Sequence, residues 1–357
     1  FTGGTQAAMA QRHAYLETLL TAANLDRRLR FRNMAWQADT VYRQQRPLNF
    51  GDWDQQLGRV GANVVCCWFG QMESLDGPEK IAEFVTAYEQ LLDTFLEHAD
   101  RAVLISPVRF EKTADALPDF AVHNRSAEQY SRAIRDLAQR RGATYVDLFS
   151  AREQVAERLI ENGFRVTPAG FRILAERAAR QLGIEVPSAS AGESMRRAIV
   201  RKNELWFRYW RPMNWAFLAG DRTRQAFSRG PDNEEGSFLQ EMEQYLPLIA
   251  QAEQQIRAGT PTPPIVELGP EAAGAASPGD GDAGDGDAGD GDDIAEELAA
   301  FEMAEGYEIN LFASEKDGIP NPIQMRWDPD GRLYVICTPL YPQIQPEETP
   351  DDKIVVL

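Results

Sequence analysis

Apolar residues concentrate in four short runs in the first half of the chain, and each run is bounded by polar segments. The runs cover residues 29–35, 62–70, 102–108 and 144–149. Apolar runs of this length favour parallel strands that are buried on both faces of a sheet. Segments with helical periodicity alternate with them, over residues 6–23, 78–98, 126–141 and 168–182. This alternation predicts a doubly wound α/β sheet domain that ends near residue 184.

The remainder of the chain changes character three times. Residues 194–258 are rich in aromatic residues and arginine without a strand pattern, which predicts a helical appendage. Residues 260–293 are rich in Pro, Gly, Ala and Asp, and they are predicted to be a flexible linker because this composition cannot bury a core. Calcium binding by the spaced aspartates is the alternative, although the tract lacks apolar positions that would fold a binding loop. In the segment 298–357, a turn at 328–331 between two strand-like runs predicts a β-hairpin that opens a larger β domain.

Charge and composition narrow the range of partners. The formal net charge of −18 disfavours nucleic acid, because phosphates are repelled by an acidic surface. No apolar stretch is long enough to cross a bilayer. The three cysteines are predicted to be buried apolar residues, and no metal site is predicted. The chain starts at Phe1 without a signal-peptide pattern, so we expect it to be a piece of a longer protein.

Four short motifs occur in an order that is typical of one hydrolase family. They are FTGGTQ, NMAWQADTV, FGQMES and NGFRVTPAGF, and in order and spacing they resemble the four sequence blocks of the SGNH (GDSL-like) hydrolases over residues 1–184. The resemblance implies a flavodoxin-like doubly wound parallel sheet, with a first strand that lies largely upstream of residue 1.

The whole chain also resembles a group of large bacterial proteins of Planctomycetes and Verrucomicrobia. In that group an SGNH-like domain precedes a β-propeller and a haem-binding module. The motifs that carry this resemblance are YLETLLT, FRNMAWQADTV, RPMN, AEGYEINLFASE and NPIQMRWDPDGRLYV. It implies a propeller that begins within 298–357, an extracytoplasmic protein, and haem in a C-terminal part that this chain lacks. The chain itself has no Cys-x-x-Cys-His motif, so no cofactor is expected in it.

The family's chemistry needs a nucleophile, two donors for the oxyanion and an Asp–His pair. The resemblance places the nucleophile on Thr5, whose hydroxyl is crowded by a methyl group. It places the two oxyanion donors on Ala38, which keeps a backbone N–H, and on Met72, which cannot donate a side-chain hydrogen bond. The Asp-x-x-His pair falls on Asn162 and Arg165, and a protonated guanidinium cannot act as a general base. We therefore predict a non-catalytic binding or scaffolding domain.

Two other functions stay open at this point. One is an active carbohydrate (acetyl) esterase that uses Thr5, in which His123 is the histidine closest to the expected pocket. The other is a part of a haem-linked, dehydrogenase-like redox protein. Asp39, Glu73 and Asn124 are candidate ligand-binding residues near the pocket mouth, and carbohydrate or acylated polysaccharide is the candidate partner.

The aromatic and basic residues between 206 and 215 have two interpretations. They are Trp206, Phe207, Tyr209, Trp210, Arg211 and Trp215. They form either a surface that faces a sugar or a partner, or part of a core, which helical spacing of aromatic residues favours.

Overall fold

The computed structural model describes residues 1–113, 118–150, 158–186, 192–213, 215–224, 242–259, 294, 298–339, 349 and 351–357. The chain divides into two compact units. The first comprises Phe1–Arg211, Ala219–Asp221 and Glu243–Ile265, and the second comprises Pro212–Leu218, Arg222–Met242 and Val266–Leu357. The predicted linker, 260–293, lies outside the described residues.

The first unit is built on a parallel sheet. Its four strands are β1 (Thr2–Gly3), β2 (Val64–Trp68), β3 (Arg101–Ile105) and β4 (Thr144–Val146), which are hydrogen-bonded in that order. Cys67 pairs with Thr2 on one side and Leu104 on the other, and Cys67 and Leu104 are fully buried. A short antiparallel hairpin of β5 (Ile160–Glu161) and β6 (Arg165–Val166) follows. The predicted α/β sheet with parallel strands is confirmed.

The segment 29–35 is not a strand in the structure, so the prediction of a strand there was wrong. Its backbone is extended beside the first residue of the chain: the Phe1 nitrogen donates to the Arg32 carbonyl at 2.7 Å, and the Met34 N–H donates to the Phe1 carbonyl at 2.8 Å. This pairing involves a single residue, Phe1, which lies just before β1. The run also contains Arg30, which is exposed, and Arg32, which is half-buried, between its apolar residues.

Helices cover the predicted amphipathic segments, with one difference. They are α1 (Thr5–His13), α2 (Tyr15–Ala22), α3 (Trp53–Val60), α4 (Ile81–Leu96), α5 (Asn124–Arg140) and α6 (Pro168–Gln181). The single helix predicted over 6–23 is broken at Ala14, which has the left-handed φ of 53°. Helix α3 was not predicted; it begins after Asp52, whose side chain accepts the Gln55 N–H at 2.9 Å. The predicted cap of α6 is confirmed, because the Thr167 hydroxyl accepts the Gly170 N–H at 3.0 Å.

The helices bury one face each against the sheet. On α4, Phe84, Tyr88, Leu92 and Phe95 recur at helical spacing and are fully buried. Tyr130, Ile134 and Leu137 do the same on α5. Burial of each such side chain contributes about 1.5–3 kcal/mol relative to an exposed position, so these two stripes fix α4 and α5 on the sheet.

Two further helices pack into the first unit. Helix α7 (Glu193–Trp210) contacts α1, α2 and α9 (Tyr245–Ala258). Ala14, Ala198, Ile199 and Ile256 form a buried apolar cluster at this junction. A buried ion pair joins Lys202 of α7 to Glu17 of α2, with 2.5 Å between Nζ and Oε1. Helix α7 is therefore held in the first unit by both apolar and polar contacts.

The second unit contains a short helix, α8 (Trp215–Leu218), and an antiparallel sheet. The sheet has the order β7 (Pro322–Trp327), β8 (Leu333–Cys337) and β9 (Lys353–Val356). The hairpin predicted around 328–331 is confirmed, since β7 pairs with β8 and the Asp328 carboxylate accepts the Asp330 and Arg332 N–H groups at 2.9 Å. A propeller stays a prediction. Among the described residues, no helix has the length and apolar character that a membrane span requires.

Candidate functional site

The site begins at the turn from β1 into α1. A Cβ at Gly3 would lie 2.3 Å from the Trp68 carbonyl, and one at Gly4 would lie 2.8 Å from the Asp39 carbonyl. This turn therefore requires glycine, and it places half-buried Thr5 at the first position of α1. The Ala38 N–H donates to the Thr5 hydroxyl at 3.4 Å. The structure thus brings together two of the positions that the sequence assigned to the nucleophile and an oxyanion donor.

Ala38 keeps the backbone geometry of the glycine that the family places there. Its φ is 67°, in the left-handed region, which costs a residue with a Cβ about 1–2 kcal/mol. The surrounding loop, residues 36–39, is held by the Asp39 carboxylate, which accepts the Trp36 N–H at 3.3 Å. The backbone donor therefore survives the substitution of glycine.

Met72 lies two residues after Gly70, in the loop that follows β2. Gly70 has a φ of 103°, and a Cβ there would meet Ile134 at 2.8 Å. The Met72 side chain is exposed to solvent. A thioether accepts hydrogen bonds weakly and donates none, so this position supplies no side-chain oxyanion donor.

The Asp–His positions lie on the β5–β6 hairpin. Asn162 occupies its turn with a φ of 50°, and Arg165 forms an ion pair with Glu161 at 3.3 Å. Both charged side chains of this pair are close to half exposed. The position where the family places its base is therefore occupied by a paired cation.

Two glutamine side chains connect the hairpin to the rest of the site. Gln6 Nε2 donates to the Phe164 carbonyl at 2.7 Å and to Gln71 Oε1 at 2.9 Å, and Gln6 Oε1 accepts the Val166 N–H at 3.3 Å. Gln71 Nε2 donates to the same Phe164 carbonyl at 3.2 Å. These bonds join the residue after Thr5, the residue before Met72 and the residue before Arg165, so the three family blocks meet at one place.

None of the three histidines contacts Thr5. His123 ends a short 3-10 turn and its ring lies 6.3 Å from that of Phe110. His13 stacks on Phe171 with 4.8 Å between ring centroids, and burial lowers its pKa. His98 Nε2 lies 2.9 Å from the Asp54 carboxylate. Within the described ranges, the Ala38 N–H is the hydrogen-bond partner of the Thr5 hydroxyl.

Asp39 forms a buried ion pair rather than an open ligand contact. Its oxygens accept Arg46 NH1 at 2.8 Å and Arg46 NH2 at 2.7 Å. The Arg46 guanidinium also lies 4.5 Å from the Trp36 ring centroid. Burial raises the pKa of Asp39, although its bonds to Arg46 oppose that shift.

Arg211 completes this group of residues, which we call the tryptophan–arginine cluster (Trp36, Asp39, Arg46 and Arg211). The Arg211 guanidinium lies 3.8 Å from the Trp36 ring centroid. Burial lowers its pKa, and the neighbouring Arg46 acts in the same direction while Asp39 opposes it. The cluster thus holds two guanidinium groups and one carboxylate.

Glu73 is a structural carboxylate. It is 2% exposed and accepts the Val41 and Gly70 N–H groups, each at 2.9 Å. Burial raises its pKa. Its two oxygens hold the loop after β2 against the loop that follows Asp39, and a role of Glu73 in ligand binding stays a prediction.

Asn124 also bonds to the protein backbone. Its Oδ1 accepts the Phe110 N–H and its Nδ2 donates to the Phe110 carbonyl, both at 2.9 Å. This pair of bonds reproduces a strand-like connection and fixes the segment after β3 to the beginning of α5. A ligand would have to compete with both bonds.

Two of the four aromatic residues of this series on α7 belong to the core. Trp206 and Trp210 are each 3% exposed; the Trp206 indole donates to the Asn33 carbonyl at 2.9 Å and the Trp210 indole to Gln56 Oε1 at 3.0 Å. Of the two interpretations of this series, the structure supports the core for these two residues. Arg211, at the end of α7, is the member that lies beside the site.

One group of side chains could hold a metal ion. Asp54, Glu97 and His98 each present a ligand atom within 4.8 Å of the others. The two acidic residues are exposed and lie on α3 and just after α4. In the described part of the chain, no comparable group includes Thr5, Ala38 or Met72.

A groove of about 710 Å³ runs beside α4. Its lining combines aromatic and amide side chains from the loop after Asp39, from α3 and from α4, including Tyr42, Gln44, Trp53 and Gln90. A smaller cavity of about 60 Å³ lies among apolar residues under α1 and α6. Thr5 lines neither of these two cavities.

The parallel sheet and the helices around it define an α/β protein, with the turn at Thr5 and the left-handed Ala38 side by side. Residues 1–173 match the GDSL-like Lipase/Acylhydrolase family, and this part of the chain is a domain of that family. Residues 293–357 match a Domain of unknown function (DUF7133). The family that the sequence motifs indicated is thereby confirmed for the first domain.

Comparisons with individual proteins add two solved structures. Axe2, an acetylxylan esterase from Geobacillus stearothermophilus, is similar at 18% identity over 53% of this chain and 95% of its own, with a TM-score of 0.42. LAE5, an alpha/beta hydrolase enzyme from the metagenome of Lake Arreo, Spain, is similar at 17% identity over 51% of this chain and 93% of its own, with a TM-score of 0.41. No curated protein matches the chain.

Sequence reasoning missed three residues that organise the site and did not place a fourth, Arg211, beside it. Gln6 and Gln71 join the family blocks, and Arg46 and Arg211 flank Trp36. Arg46 had a local signal, since it lies seven residues after Asp39 in the same loop. Arg211 was named in the aromatic and basic series between 206 and 215, but its position beside Trp36 was not predictable, because 172 residues separate it from Asp39 and helical periodicity does not show where α7 packs.

Proposed function

We propose that the GDSL-like domain is a non-catalytic binding domain, which keeps the esterase fold and has lost its chemistry. The observation that carries this proposal is the environment of the Thr5 hydroxyl. Its partner among the described residues is the Ala38 N–H, a donor that cannot remove a proton. A hydroxyl nucleophile needs a neighbouring base, because it is weak at its own pKa.

The remaining positions support the same conclusion. Arg165, at the position of the histidine, is always protonated and is paired with Glu161. Met72 removes a side-chain oxyanion donor, and loss of one such donor typically lowers turnover by about 10²–10³. Without the base and the side-chain donor, the Ala38 N–H is the oxyanion donor that remains of these positions.

For the ligand we propose a carbohydrate or an acylated polysaccharide. The groove beside α4 supports this choice, because Trp53 and Tyr42 offer aromatic surface while Gln44 and Gln90 offer amide groups. Binding sites commonly combine apolar walls with a few oriented polar groups. An extracytoplasmic location, and a propeller and haem module elsewhere in a longer protein, belong to the same proposal and rest on the sequence motifs.

One observation favours an active acetyl esterase as the second candidate. The Thr5 hydroxyl and the Ala38 N–H lie 3.4 Å apart, so an acyl carbonyl attacked by Thr5 would lie beside a backbone donor. This candidate needs a base that approaches Thr5 when substrate binds. His123 would have to leave its position beside Phe110.

The experiment compares the full chain with a Thr5→Ala variant in hydrolysis of p-nitrophenyl acetate and of acetylated xylan. We expect no turnover above buffer, or equal turnover in both proteins. Turnover that disappears in Thr5→Ala would contradict the proposal and support the esterase. As a positive control, a variant that restores the family residues (Thr5→Ser, Ala38→Gly, Met72→Asn, Asn162→Asp and Arg165→His) shows whether the assay detects hydrolysis on this scaffold.

A further inference from the structure

We propose that Arg211 is the anchor for a carboxylate group of the ligand, so that the bound saccharide is an acidic one. The inference rests on the proposed binding function and specifies its ligand. It starts from the tryptophan–arginine cluster, which adjoins Thr5 through the 36–39 loop.

The charges of the cluster do not balance. Asp39 is used fully by Arg46, because each of its oxygens accepts one N–H of the same guanidinium, at 2.8 and 2.7 Å. Arg211 adds a second positive charge next to this pair. Among the described residues, Arg46 and Asp39 are the charged groups that act on Arg211, and no further carboxylate forms an ion pair with it. The cluster therefore carries one positive charge more than it pairs, on a chain whose net charge is −18.

The Arg211 guanidinium contacts aromatic rings through its flat face and not through the N–H groups at its edge. The group stacks on Trp36 at 3.8 Å and lies 5.2 Å from the Phe207 ring centroid. Within the described ranges its N–H groups have no hydrogen-bond or ion-pair partner, although the residue is partly buried. A stacked guanidinium presents its donors in the ring plane, as a planar fork that matches a carboxylate.

The neighbouring residues show that this chemistry works here. Arg46 stacks on the same Trp36 ring, at 4.5 Å, and binds a carboxylate with both terminal nitrogens. Arg211 has the equivalent stacking without the carboxylate. The Trp36 indole nitrogen is also buried without a partner in the described part of the chain, which adds a donor to the same cluster. An anionic group of the ligand would fill this arrangement.

The test is calorimetric titration of the full chain with trigalacturonate, and with xylotriose as a neutral saccharide of the same length. We expect trigalacturonate to bind and to bind more weakly as salt is raised. In Arg211→Gln its affinity should fall about tenfold or more, since a hydrogen bond to a charged group is lost. Arg197→Gln is the matched control, because Arg197 lies on the same helix with its side chain 76% exposed. The affinity of this variant for trigalacturonate should equal that of the unchanged protein.

Three results would overturn the inference. They are no binding of trigalacturonate, equal binding in Arg211→Gln and the unchanged protein, and equal affinity for trigalacturonate and xylotriose. Binding of xylotriose alone would leave the proposed binding function standing, whereas Thr5-dependent hydrolysis would remove that function. If Arg211→Gln does not fold, the NMR signal of the Trp36 indole N–H decides: it should shift with trigalacturonate and not with xylotriose.

Discussion

The buried ion pair of Lys202 and Glu17 tests how α7 packs against α2. Lys202 is 1% exposed, and its ammonium donates to Glu17 at 2.5 Å, to Asn203 at 2.6 Å and to the Phe31 carbonyl at 3.4 Å. All three of its N–H groups therefore have acceptors. Glu17 accepts a further bond from Asn203 Nδ2 at 2.9 Å. We predict that Lys202→Ala strongly destabilises the protein.

The magnitude follows from the charge that the substitution leaves behind. Glu17 would stay buried with Asn203 as its partner, and removal of one member of a buried ion pair costs about 3–5 kcal/mol. For a unit of this size, 1 kcal/mol corresponds to roughly 2–4 °C in Tm, so we expect Tm to fall by roughly 6–20 °C. The double variant Lys202→Met with Glu17→Leu removes both charges and should lose less than the single variant.

The assay is urea unfolding followed by circular dichroism, with thermal unfolding as the second measurement. Arg197→Ala serves as the control, because its side chain is 76% exposed and surface substitutions stay within about 0.5 kcal/mol. A loss below about 1 kcal/mol in Lys202→Ala would refute the reasoning. So would a double variant that is less stable than the single one, because it would show that the ion pair itself stabilises the junction of α2 and α7.

Two other predictions concern a titration and a matched pair of glycines. Burial raises the pKa of Glu73 above its usual 4.5, so its contribution to stability is present below that pH and is lost as pH rises through the folded pKa. As pH rises from 4 to 7, the urea midpoint of the unchanged protein should therefore fall relative to that of Glu73→Gln. Midpoints of the two proteins that run parallel over this pH range would contradict this. Gly170→Ala should cost about 1–3 kcal/mol, because its Cβ would meet the Leu159 carbonyl at 2.3 Å. Gly58→Ala, with open space around the Cβ, should stabilise α3 by about 0.5–1 kcal/mol, and a Tm that falls would show that the helix is not formed as described.

Much of the fold followed from periodicity, because the apolar runs and amphipathic stripes reflect burial directly. The break at Ala14 did not, since alanine favours helix and nothing in the sequence marks a left-handed residue there. It follows from tertiary packing: Ala14 is buried in the cluster that α7 and α9 form with the junction of α1 and α2. Helix α3 was also missed, although Asp52 supplies a side-chain cap for it.

The positions of the site residues were predictable where family motifs assign them. They were not predictable where contacts between distant parts of the chain determine them. Thr5 and Ala38 meet as their motif positions imply. Glu73 and Asn124 are polar residues near the expected pocket mouth, so the sequence suggested ligand contacts, whereas in the structure their side chains bond to backbone groups. Which partner a polar side chain finds depends on how separate segments approach each other, and residue spacing does not encode that.

The central claim is that Thr5 is not an activated nucleophile. Reaction of the full chain with a fluorophosphonate, followed by intact mass and peptide mapping, tests it directly, because these reagents label hydroxyls that a base has activated. We predict no adduct on Thr5 under conditions in which an active serine esterase is fully labelled. A phosphonyl adduct on Thr5, absent from Thr5→Ala, would contradict the claim and identify a working threonine nucleophile.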